Sequence, residues 1–186
     1  MRKIISKHQR EKKERTKQIV VGGILVIIMF ASVIGYAFQG KNVEEDSKIK
    51  YNNFEFIKKD GSWIFQEFIF KYNPKETEEF ESNEFINLLI DYQNQPLYIY
   101  SEDKEAESEI YRNLIKSAER IQYACLENEF ECEETWPIKT CEDNFILIKE
   151  GDFKIEQKDN CLIIQGKKED LVKLSDETLF KILSIK

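Results

Sequence analysis

Histidine is nearly missing from this sequence. Of 186 residues only His8 is of that type, so residues 18–186 contain none. Without an imidazole, that part of the chain is excluded from Ser-His-Asp and Cys-His catalysis and from every histidine-bearing metal site. Glycine is scarce as well. Gly61, Gly151 and Gly166 each stand alone, which excludes a glycine-rich phosphate cradle. No D-x-D-x-D-G calcium loop and no Asn-x-Ser/Thr glycan acceptor occurs, and the four cysteines include no C-x-x-C pair. Charge is missing from one stretch only. Residues 19–38, opening on Ile19 and closing on Phe38, carry no charged side chain.

That stretch is the most informative feature present. Twenty residues of helix rise about 30 Å, the thickness of a bilayer's hydrocarbon core. Residues 18–38 are therefore expected to form a transmembrane helix. Residues 1–17 hold eight Lys and Arg against two Glu, a net charge of +6, and since the whole chain is −7, residues 18–186 carry −13. Cations flanking a span stay on the cytoplasmic side, which predicts a cytoplasmic tail and an extracytoplasmic domain. The alternative is a cleaved secretory signal, with Gly35-Tyr36-Ala37 as the cut site before Phe38. Either way the acidic part is exported. The tail has no aromatic residue to stack on bases, so its charges are assigned to orientation and the lipid bilayer, and nucleic acid is not an expected partner.

Residues 39–50 are polar and charged and are expected to be a linker. Residues 51–186 have the length of one domain. Phe54 and Phe56 alternate with polar neighbours, Asp60-Gly61 marks a turn, and an aromatic run over residues 63–70 completes a hairpin before Asn73-Pro74. Ser82 is expected to cap a short helix carrying Phe85, Leu88, Leu89 and Tyr92, and residues 97–100 a buried strand. The longest helix is expected over residues 104–126, with Ile110, Leu114, Ala118, Ile121 and Cys125 along one face. Residues 145–148, 153–155 and 162–164 read as strands separated by Gly151-Asp152 and Asp159-Asn160. Ser175, Asp176 and Glu177 supply a capped, acidic start for a last helix. The expected order, ββαβαβββα, defines a mixed-sheet domain of the α+β (or α/β) class behind an N-terminal transmembrane helix.

Cys125, Cys132, Cys141 and Cys161 all fall in the part placed outside the cell, where thiols pair. Four cysteines allow three connectivities. The nested one is expected, Cys125 with Cys161 and Cys132 with Cys141, the latter two bracketing Trp136-Pro137. Gaps of six, eight and nineteen residues do not fit a four-cysteine zinc site. Ser101-Glu102-Asp103-Lys104 satisfies S-x-x-K, but a hydroxyl where strand passes into helix is an N-cap, and the companion motifs of Ser-Lys enzymes are missing. The glutamates at 76, 78, 79 and 81, and at 127, 129, 131, 133 and 134, are expected to be solvated rather than to hold calcium.

Four runs carry a family resemblance: Pro96-Leu97-Tyr98-Ile99-Tyr100-Ser101-Glu102, Arg120-Ile121-Gln122-Tyr123-Ala124-Cys125, Lys139-Thr140-Cys141-Glu142-Asp143-Asn144 and Asn160-Cys161-Leu162-Ile163-Ile164. In these, and in its basic tail and single span, the chain resembles single-pass membrane proteins of small-genome archaea that have no assigned activity. The resemblance implies an archaeal envelope protein and no reaction.

No catalytic residue, cofactor or metal is therefore expected. The functional expectation is a membrane-tethered outer domain that binds or organises another envelope protein, with Trp136 and Pro137 as its contact, unless Trp136 plugs its own core. A histidine-free, carboxylate-dependent hydrolase and an accessory subunit of a larger membrane complex are the alternatives. The sequence specifies neither ligand nor oligomeric state.

Overall fold

A computed structural model describes residues 7–39, 47–82, 84–127 and 132–186. The expected linker lies largely outside these at residues 40–46, as do Glu129 and Glu131. Residues 1–46 and 47–186 form separate units.

In the first unit a single helix, α1, runs over Lys7–Gln39. It begins within the basic tail, because Lys, Arg, Glu and Gln are good helix formers and extend the helix upstream of the apolar run. Its window Arg15–Ser32 is long and apolar enough to cross a membrane, a criterion that a signal sequence would also meet.

The second unit is a mixed α+β fold. Strands β1 (Lys48–Tyr51), β2 (Phe54–Lys59), β3 (Ser62–Phe65) and β4 (Phe68–Phe70) form an antiparallel meander. Its first two turns place consecutive residues at positive φ, Asn52-Asn53 at 45° and 69° and Asp60-Gly61 at 50° and 83°. That geometry matches the twist of a tight hairpin, and Asn, Asp and Gly tolerate it. The strand expected as one run over residues 63–70 is interrupted at Gln66 (φ 53°). β1 also begins inside the predicted linker, since Ile49 pairs opposite Phe56 and reaches the core.

The second sheet has the order β10-β11-β9-β5-β6, with β5 (Pro96–Ser101), β6 (Arg120–Tyr123), β9 (Phe145–Glu150) and β11 (Cys161–Gly166) parallel and β10 (Lys154–Lys158) antiparallel at one edge. β7 (Cys125–Leu126) and β8 (Ile138–Lys139) pair separately. Helix α3 (Lys104–Leu114) packs on β4 and β5, and α4 (Leu171–Ile182) packs on α3, β9 and β11. Phe180 of α4 lies 5.8 Å from Phe56 and 4.6 Å from Phe70. The helices thus form a middle layer between the two sheets.

Three predicted helices are revised. The long helix ends at Leu114, and residues 120–123 instead pair with β5, Ile121 opposite Leu97. The apolar spacing that continues a helix there also fits a strand. The helix expected from Ser82 is one turn, α2 (Leu89–Tyr92), with residues 84–88 before it outside any helix. Lys181 Nζ donates to the carbonyls of Ser82 and Glu84, satisfying groups that a helix would have bonded internally. Phe85 is consequently exposed and Ile86 buried, the reverse of the helical expectation. The last helix starts at Leu171, so Ser175, Asp176 and Glu177 lie in its middle, fully buried.

Candidate functional site

The cysteines pair in sequence, Cys125 with Cys132 and Cys141 with Cys161, at Cα separations of 5.8 and 4.9 Å, both within ordinary disulfide reach. The nested expectation is overturned because the helix meant to carry Cys125 does not extend that far. Cys125 opens β7, and its N–H donates to the Pro137 carbonyl. Cys161 opens β11, and the neighbouring Asn160 N–H donates to the Cys141 carbonyl, fixing those two side by side.

The Trp136-Pro137 segment sits beside the first disulfide. Trp136 is half-buried, its ring stacked on Tyr123 at 5.3 Å and edge-on to Tyr100 at 6.5 Å. Tyr123 is oriented by donating to a Glu107 carboxylate oxygen at 2.7 Å, and that bond, with some desolvation, pushes its phenol up to about 12. Pro137 is held by its carbonyl's bond to β7. Next to Trp136 a groove of about 310 Å³ is lined by Leu126, Ile138, the Cys125–Cys132 bridge and the exposed Glu127, Glu133 and Glu134. Ile138 is 73% exposed there.

A second cluster, which the sequence did not point to, joins α3 to α4. Glu109 and Asp176 are buried together, and burial, followed by the negative charge of Glu109, raises the Asp176 carboxyl well above the usual carboxylate range. The Tyr72 N–H opposes this by donating to Asp176 Oδ2 at 2.8 Å. Arg112 pairs with Glu109 and also donates to the Ile69 carbonyl at 3.1 Å. Asn113 both accepts from the Ile69 N–H and donates to its carbonyl, at 2.8 Å each. A side-chain amide thereby stands in for the strand that would otherwise pair with the β4 edge.

The next residue along α4 has a different solution. Glu177 accepts from Lys186 Nζ at 2.5 Å and from Thr77 Oγ1 at 2.7 Å in a fully buried ion pair. Sequence position alone offered little signal for these groups, since acidic residues are abundant throughout residues 47–186.

Paired carboxylates are a histidine-free route to acid–base catalysis, but Glu109 and Asp176 are both buried. The depressions beside Leu183, Trp136, Gly166 and Asn160 are lined by other residues. Ser101 does not act as the N-cap. Its hydroxyl donates to the Asp103 carbonyl and accepts from the Asp103 N–H, while the Asp103 side chain caps α3 by accepting from Ala106. Glu76 is engaged with Asn73, and Glu79 with Lys173 at 2.9 Å. Among the described residues no three His, Cys, Asp or Glu side chains gather to hold a metal ion. Comparison with protein-family models, curated proteins and solved structures finds no match for this chain.

Proposed function

We propose that the chain is a single-pass membrane protein with a cytoplasmic basic tail and an extracytoplasmic domain that binds or organises another envelope protein without catalysing a reaction. The archaeal resemblance places it, on this reading, in an archaeal cell envelope. The observation that carries the binding role is the groove beside Trp136. It combines an exposed isoleucine, a half-exposed tryptophan and a disulfide-held rim, whereas the buried Glu109 and Asp176 line none of the depressions described above. Apolar surface of this kind marks contact sites more often than it marks chemistry. Two disulfides favour an oxidising exterior, and the positive flank of the apolar helix favours the same polarity.

Two measurements test the reading. A reporter fused behind Lys186 should be digested by protease added to intact cells, and protection would reverse the polarity. Cross-linking in native membranes should capture a partner that Trp136→Ala loses. Capture unaffected by that substitution would remove the groove from the binding role.

A further inference from the structure

The lining of the Trp136 groove has one sign of charge. Glu127, Glu133 and Glu134 are exposed on its rim, and among the described residues no Lys, Arg or His contributes to it. The nearest cation along β8 is committed elsewhere. Lys139 Nζ pairs with Asp143 at 3.3 Å and lies 4.1 Å from the centre of the Tyr98 ring. Arg120 donates to the hydroxyl of the same tyrosine at 3.3 Å. The floor is apolar, formed by Leu126, Trp136, Ile138 and the disulfide. At about 310 Å³ the groove is at the lower end of the range of about 300–1,000 Å³ that ligand sites occupy, a size suited to a few side chains rather than a whole cofactor.

We infer that this groove docks a basic segment of a partner protein, an apolar side chain entering between Trp136 and Ile138 while flanking lysines or arginines meet Glu127, Glu133 and Glu134. The inference deepens the binding role proposed above and rests on it. An apolar anchor supplies the contact area, and the acidic rim selects the partner's sign of charge and speeds encounter. An acidic or purely polar partner would leave three carboxylates facing like charge, or the floor facing water.

The full chain, held in nanodiscs of zwitterionic lipid with empty discs as blank, is titrated with labelled hexapeptides of alternating Lys-Leu, Glu-Leu and Lys-Ser. Lys-Leu should bind tightest and lose affinity as salt rises. The triple variant Glu127→Gln, Glu133→Gln, Glu134→Gln, confined to exposed side chains, should weaken it about tenfold and flatten the salt dependence. Ile138→Ser should weaken Lys-Leu while leaving Lys-Ser unchanged. Equal binding of Glu-Leu, or an unaltered triple variant, overturns the inference. If no peptide binds yet Trp136-dependent capture in native membranes persists, the basic partner is refuted and the binding role stands. If that capture is also independent of Trp136, both fall.

Discussion

The two faces of the five-stranded sheet are built from alternate residues of the same strands and are covered in different ways. On one face Leu97, Ile99, Ile146, Ile148, Leu162 and Ile164 meet the helices and join a cluster of 24 buried apolar side chains that continues into the meander. On the other, Tyr98, Phe145, Leu147 and Cys161 form with Ala124 a cluster of five, roofed by the disulfide-bearing segment that holds β7 and β8. A thick layer of helix and sheet holds itself by burial. A thin roof of short strands buries too little to do so, and covalent links supply what the missing apolar area does not.

The comparison can be broken most severely from the thick side. Phe180→Ala should destabilise the domain by about 4 kcal/mol, because the ring is fully buried between Phe56 and Phe70 and leaves a cavity on removal. Denaturant unfolding measures this, and a loss below about 1 kcal/mol would mean the helical layer is not the main source of stability. On the thin side, replacing Cys141 and Cys161 by Ala should cost about 3 kcal/mol, and replacing Cys125 and Cys132 about 2.5 kcal/mol, since the Cys141–Cys161 bridge closes a longer loop, 20 against 7 residues of separation. The same unfolding experiment ranks them.

A third test concerns the buried Asp176 of α4. Asp176 has its folded-state pKa raised, so the native state holds a proton that the unfolded chain releases. Stability from this group is therefore fully present below the unfolded value of about 3.9 and declines as pH rises through the folded value. Asp176→Asn, which mimics the protonated form and keeps the acceptor for the Tyr72 N–H, should match the native protein near pH 4 and melt higher than it at pH 8. Parallel melting curves at both pH values would show that Asp176 does not hold an extra proton in the native state. The smallest effect is expected for Trp136→Ala, about 1 kcal/mol or less of stability, because the ring is half-buried on the outer edge of the roof. A larger loss would make Trp136 a core residue rather than a contact.

Signals confined to a few neighbouring residues were legible in the sequence. Asp60-Gly61 marks a hairpin because its backbone demands are local, and the runs around residues 146, 155 and 163 are strands, with β-branched alternation between turn residues. Where two structures share one pattern, the sequence misled. Ile121 and Cys125 continue the apolar spacing of α3, yet the edge of β5 recruits residues 120–123 as a strand and Cys125 pairs with β8. Ser175-Asp176-Glu177 has the composition of a helix start, yet all three are interior. Trp136 was legible as a candidate contact, but its ring neighbours Tyr100 and Tyr123 lie 36 and 13 residues away in sequence, and no local spacing connects them to it.

By itself the sequence determined the order of a basic tail, an uncharged run long enough to span a bilayer and an acidic remainder, because charge, length and hydropathy are additive properties of consecutive residues. It also removed histidine from the domain's chemistry. Only the tertiary structure decided which cysteines pair, which carboxylates are buried and which apolar side chains stay at the surface. Those outcomes depend on elements distant in sequence competing for the same hydrogen bonds and the same dry volume.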